Sequence, residues 1–124
     1  MTAYSNSIDT TAAINPAPQG VYQSERSGSS FTYTLPGLTA GAAYSVRLHF
    51  AENYWTSTGK RLFNVAINGG RVLSGFDIVA AAGGLHKATV RQFQIAANSS
   101  GQIVIQYLEG AAWSPKSSGI EILK

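Results

Sequence analysis

The 124-residue sequence predicts an all-β protein, an antiparallel β-sandwich of jelly-roll type, and two observations carry that expectation. Thirteen glycines, six tyrosines, abundant Ser and Thr and no run of helix formers favour strands and turns over helices. From residue 31 onward, short segments alternate apolar and polar side chains and are separated by turn residues. A hydrophobic content of 44% over this length is enough for one core and hardly for a second, so the chain reads as a single domain, 1–124.

The strand-like elements follow in order. In "FTYTL", Phe31, Tyr33 and Leu35 share one face and Thr32 and Thr34 the other. In "YSVRLHF", Tyr44, Val46, Leu48 and Phe50 point inward, which sends Ser45, Arg47 and His49 outward. "LFNVAI" (62–67) ends at Asn68-Gly69-Gly70, residues that tolerate positive φ and suit a hairpin into "RVLSGFDI". "TVRQFQI" (89–95), "QIVIQYL" (102–108) and "GIEIL" (119–123) complete the set, and 80–86 holds at most a helical turn before its paired glycines. Residues 1–30 are polar, carry Pro16 and Pro18, and read as an ordered arm lying on the sandwich.

Charge and composition remove several function classes. Nine basic residues against six acidic give +3, but apart from Lys60 and Arg61 the basic residues stand singly, which is too thin for a nucleic-acid footprint. No apolar run approaches the roughly 20 residues of a membrane span, so no membrane role is expected. Without cysteine there is no disulfide, thiol nucleophile or thiolate ligand, and no Asp/Asn run has calcium-ligand spacing. His49 has no second histidine near it, so no metal or other cofactor is expected.

Strand direction then says where a site lies. If neighbouring strands are antiparallel, the loops 52–60, 80–87 and 109–118 share one end with the arm that enters the strand at Phe31. That end collects Glu25, Arg26, Glu52, Asn53, Tyr54, Trp55, Lys60, His86, Lys87, Trp113 and Lys116. The loops of the opposite end contain no aromatic residue. Loops on a rigid scaffold are where binding residues concentrate, and flat rings beside hydrogen-bonding groups suit sugars, whose C–H faces stack while their hydroxyls need polar partners. The plainer readings are that Tyr54 and Trp55 cap the sandwich, that Trp113 packs on the last strand, and that Glu25 and Arg26 brace the arm.

The stretches "VYQSERSGSSFTYTLPGL", "YSVRLHFAENYWTSTGKRLFNVAINGGRVLSGFDIVAAAGG" and "PKSSGIEIL" closely resemble the malectin domain, also classed as carbohydrate-binding module family 57. The resemblance implies a galactose-binding-like β-sandwich that binds glycans without catalysis. Animal members recognise α-linked diglucosides, and bacterial members look like accessory modules of large secreted glycan-active enzymes. It thereby implies an extracellular or cell-surface place in a larger, secreted bacterial-type protein, and a glucose-containing oligo- or polysaccharide as partner.

Carried over residue by residue, the family's aromatic pair falls on Tyr54 and Trp55 and its arm tyrosine on Tyr4. A further family tyrosine falls on Ser27, and its aspartate on Trp113, so a ring is lost at one position and gained at another. The carbohydrate-binding set expected is therefore Tyr4, Glu25, Glu52, Asn53, Tyr54, Trp55 and Trp113, with the rings stacking and the polar groups fixing hydroxyls. The family's usual N-terminal strand is missing, so an unpaired sheet edge and a homodimer formed through it are expected. Glu25, Glu52 and Glu109 could in principle supply the two carboxylates of a glycoside hydrolase, but no catalytic residues are assigned. The alternative function is a protein interaction or assembly module completed by strand exchange.

Overall fold

The computed structural model describes residues 2–3, 7–11, 13, 15, 17 and 19–123. Its elements in chain order are β1 (Thr2–Ala3), α1 (Gln19–Tyr22), β2 (Ser24–Ser27), β3 (Phe31–Leu35), β4 (Ala43–Ala51), β5 (Leu62–Ile67), β6 (Gly70–Phe76), α2 (Ile78–Ala82), β7 (Ala88–Ala96), β8 (Ile103–Ala112), β9 (Lys116–Ser117) and β10 (Gly119–Leu123). Two antiparallel sheets, ordered β3-β8-β5-β6 and β10-β4-β7, enclose the core, and a small third sheet, β1-β2-β9, joins the arm to the last loop. The all-β sandwich is as the sequence predicts.

The inward sets are those the alternation predicts. Val46, Leu48 and Phe50 on β4 meet Phe63 and Val65 on β5 and Ile103, Ile105 and Tyr107 on β8, all without solvent exposure. Phe50 packs at 4.9 Å from Phe76 and Phe31 stacks at 4.8 Å on Tyr107. Each such ring contributes about 2–3 kcal/mol by leaving water.

The outer face of β4 departs from expectation. Arg47 and His49 alternate outward, yet they are 6% and 1% exposed, because the arm lies over them. The Tyr22 hydroxyl is 2.8 Å from His49 Nδ1, His49 Nε2 is 2.5 Å from Glu121 Oε1, and Arg47 donates to Glu121, Gln92 and the Asn15 carbonyl. Ile8, Tyr22, Ala51 and Ala88 form a second apolar cluster beneath the arm, and Asp9 is bonded through its backbone to His86 and Ala88. The described residues of the arm thus pack on the sandwich. Alternation tells which face a side chain takes and not what later covers that face.

Helix α2 starts earlier than the expected turn and shortens the strand before it. Asp77 caps its first turn by accepting from the Ala80 N–H at 3.2 Å, and Gly83 ends it at φ 90°. The hairpin at Asn68-Gly69 has φ of 48° and 82°, the positive pair its sequence predicts.

Candidate functional site

Hydrogen bonds between loops place the two ends as strand direction requires. The His86 N–H donates to the Glu52 carbonyl at 2.8 Å and Arg61 Nη1 to the Ser114 carbonyl at 2.7 Å, which joins the segments around 52–61, 83–87 and 113–115. At the other end, Leu38 N–H reaches the Gly101 carbonyl and Gly41 N–H the Ala97 carbonyl, both at 2.9 Å.

Three rings meet at the first end. Tyr54 and Trp113 are 61% and 58% exposed, and their planes are 10° from parallel with centroids 6.3 Å apart. Trp55 is half-buried and stands edge-on to both, at 4.7 Å from Tyr54 and 5.2 Å from Trp113. Its Nε1 is buried and has no hydrogen-bond partner among the described residues. Trp55 therefore acts as a post that sets the angle of two exposed rings.

Buried charge holds this arrangement. The Glu52 carboxylate, 1% exposed, takes Arg61 Nε at 2.7 Å and Nη2 at 3.3 Å, and also accepts from the Tyr54 N–H at 3.2 Å. That bond pins the backbone of the turn at Tyr54, whose ring is exposed. Arg61 then ties this turn to the loop that carries Trp113. Lys116, fully buried, pairs with Glu25 at 2.5 Å. Burial lowers the Lys116 ammonium below its ordinary value, and Glu25 opposes that shift.

On β8 the register slips next to the site. Phe63 faces Glu109 but Leu62 faces Ala112, so Gly110 and Ala111 bulge from the ladder. An added Cβ at Gly110 would collide with the Leu62 carbonyl oxygen, so only glycine fits there. Trp113 follows at φ 55°, a strained conformation for a bulky residue. His86, at the same end, has φ 56°, and such outliers cluster where a site imposes them. Beside Trp113 opens a shallow cleft of about 340 Å³ lined by Gly28, Ser29, Glu109, Trp113 and Ser114.

The expected set divides accordingly. Tyr54, Trp55 and Trp113 come together, whereas Tyr4 lies outside the described residues. Glu25, Glu52 and Asn53, expected to fix hydroxyls, lie inside the fold as braces between its loops. All three are under 9% exposed, and Asn53 donates to the Tyr22 carbonyl at 3.0 Å while its Oδ1 meets His86 Nδ1 at 3.1 Å. The Glu25–Arg26 brace is also replaced, since Lys116 takes Glu25 and the Arg26 guanidinium lies 4.8 Å and 5.1 Å over the rings of Phe31 and Tyr33. Glu109, Ser29 and Ser114 line the cleft without belonging to the expected set. Glu109 belongs to the 109–118 loop that strand direction assigns to this end, but the bulge that aims it has no alternation signal in "EGAA".

A family model described as "Malectin domain" matches residues 1–115. Among curated proteins, the chain is similar to Receptor-like protein 4 of Arabidopsis thaliana, 39% identical over 87 residues, and to Malectin-B of Xenopus laevis, 26% identical over 122. These alignments cover 64% and 89% of this chain but 14% and 44% of the relatives, so the chain spans less than half the length of either. Among solved structures, the ANX2 ectodomain from Arabidopsis thaliana superposes with a TM-score of 0.89 at 24% identity, over 98% of this chain and 38% of that one. That likeness shows the fold, and the family match over residues 1–115 shows the membership: the chain belongs to the malectin domain family.

Proposed function

We propose that the chain is a non-catalytic carbohydrate-binding module that holds a glucose-containing oligo- or polysaccharide on Tyr54 and Trp113, with Trp55 as their support. The observation that carries this reading is a pair of large, near-parallel rings, each about 60% exposed, fixed at one end of the sandwich by a buried ion pair. Exposed aromatic faces on a rigid frame mark interaction sites, and a soluble domain that leaves them open needs a partner that stacks. A shallow site of this kind binds in the micromolar to millimolar range, about 4 to 8 kcal/mol. The family of the chain supports a glycan as that partner. An extracellular module within a larger secreted protein is the setting we propose, in line with relatives that are receptor-like proteins and ectodomains.

The reading is tested by affinity electrophoresis through soluble glucans and by calorimetry with oligosaccharides. Wild type is expected to be retarded, and Trp113→Ala and Tyr54→Ala to lose at least tenfold in affinity with folding intact. Full binding by the Tyr54→Ala, Trp113→Ala double variant would refute the site.

A second reading, protein assembly, is favoured by the edge of β10, which pairs with β4 alone among the described residues and leaves Leu123 48% exposed. A structural neighbour, the plant receptor-like kinase FER, was solved with the peptide RALF23 and LLG2. Light scattering that shows a concentration-dependent dimer, together with no retardation by any glycan, would favour this reading over the first.

A further inference from the structure

The three glutamates at the ring-bearing end fall into two kinds. Glu25 and Glu52 are buried and each is held by a cation. Glu109 is exposed, and its backbone is what the fold engages: its N–H donates to Ser30 Oγ at 3.2 Å and its carbonyl accepts from Asn64 Nδ2 at 3.4 Å. Glu109 lines the cleft beside Trp113 together with Gly28, Ser29 and Ser114. The bulge at Gly110 and Ala111 sets Glu109 and Trp113 on the same cleft.

No Lys, Arg or His is among the residues that line the cleft. Arg61 and Lys116 are buried against their carboxylates, and Arg26 lies over Phe31 and Tyr33 and lines a separate groove with Leu35 and Ile120. None of them lines the cleft. An ionised carboxylate is an acceptor with two oxygens, so it takes adjacent hydroxyl donors, and such charge-assisted bonds are shorter and stronger than neutral ones. A second carboxylate brought against it would meet like charge with no cation in the cleft lining to offset the repulsion.

From this we infer that Glu109 is the specificity-determining acceptor of the site, and that the ligand is a neutral glycan presenting hydroxyls beside the stacked sugar face, with uronate polymers rejected. The inference rests on the reading that the rings bind sugar. Serines 29 and 114 complete the cleft as small groups that donate or accept as the sugar requires.

The test compares wild type, Glu109→Gln and Glu109→Ala in affinity gels containing α-glucan, β-glucan, galactan, mannan or polygalacturonate, at about 0.15 M salt so that charges beyond roughly 8 Å are screened. Because Glu109 is exposed, both variants should melt with wild type. The expected result is retardation of wild type by at least one neutral polysaccharide, none by polygalacturonate, and a loss of at least tenfold in both variants. Wild-type binding that Glu109→Gln and Glu109→Ala leave unchanged would overturn the role of Glu109 while leaving the sugar reading intact. Preference of wild type for polygalacturonate would overturn the ligand class in the same way. Absence of binding to every polysaccharide would sink the sugar reading and this inference together.

Discussion

The two ends of the sandwich solve the same problem of closing loops in opposite ways. The ring-free end is closed by backbone and amide hydrogen bonds: Asn68 Oδ1 accepts from Val104 N–H at 2.8 Å, its Nδ2 donates to the Ala96 carbonyl at 3.0 Å, and Asn98 Oδ1 takes the N–H groups of Ser100 and Gln102. Its positive-φ positions are asparagine and glycines. The ring-bearing end uses two buried ion pairs and places His86 and Trp113, residues with a real cost at positive φ, in its turns. Neutral hydrogen bonds are sufficient to end strands. Buried charge and backbone strain stand instead beside the exposed rings, and it is at that end that we propose the binding site.

The largest expected effect that would break this comparison is on stability. Arg61→Ala leaves Glu52 buried without its cation and should cost about 3 to 5 kcal/mol. Asn68→Ala, at the other end, should cost about 1 to 2 kcal/mol. Urea denaturation measures both, and equal costs would mean that the two ends are held alike.

Next in size is a substitution that separates function from folding. Trp113→Gly removes the ring but relieves the φ of 55°, releasing roughly 1 kcal/mol of strain, so its melting temperature should hold or rise while glycan binding falls at least tenfold. A marked loss of stability would make Trp113 a packing residue.

The smallest effect concerns the arm. Burial alone would raise the Glu121 carboxyl, but the hydrogen bonds from His49 and Arg47 prevail and hold it below its ordinary value of 4.5. Its contribution to stability is therefore present above pH 4.5 and is lost as pH falls through the lower folded value. Glu121→Gln should flatten that acid limb of the stability profile, a change visible in thermal melts between about pH 5 and 2. Identical acid limbs in the two proteins would rule it out.

Much of the fold was legible because strand alternation and turn residues are local signals. The inward series from Tyr44 to Phe50 and the hairpin at Asn68-Gly69 needed only their own neighbours. The meeting of the three rings was legible, and their supports were not. Strand direction put Tyr54, Trp55 and Trp113 together, but nothing local shows that Glu52 meets Arg61 or that Glu25 meets Lys116, 91 positions away. A loop carboxylate looks like a ligand-binding group until the tertiary fold supplies its cation. Glu109 was hidden for the converse reason, since the bulge that exposes it depends on close approach of Gly110 to β5.

On the proposed reading, glycan binds at the ring-bearing end and nowhere else. Titration of isotope-labelled protein with a neutral gluco-oligosaccharide, followed by NMR, tests it directly. Saturable shifts of the Trp113 indole and Tyr54 ring signals are expected, with amides of residues 37–41, 68–70 and 98–101 unmoved. Saturable shifts confined to those opposite loops, with Trp113 and Tyr54 unchanged, would contradict it.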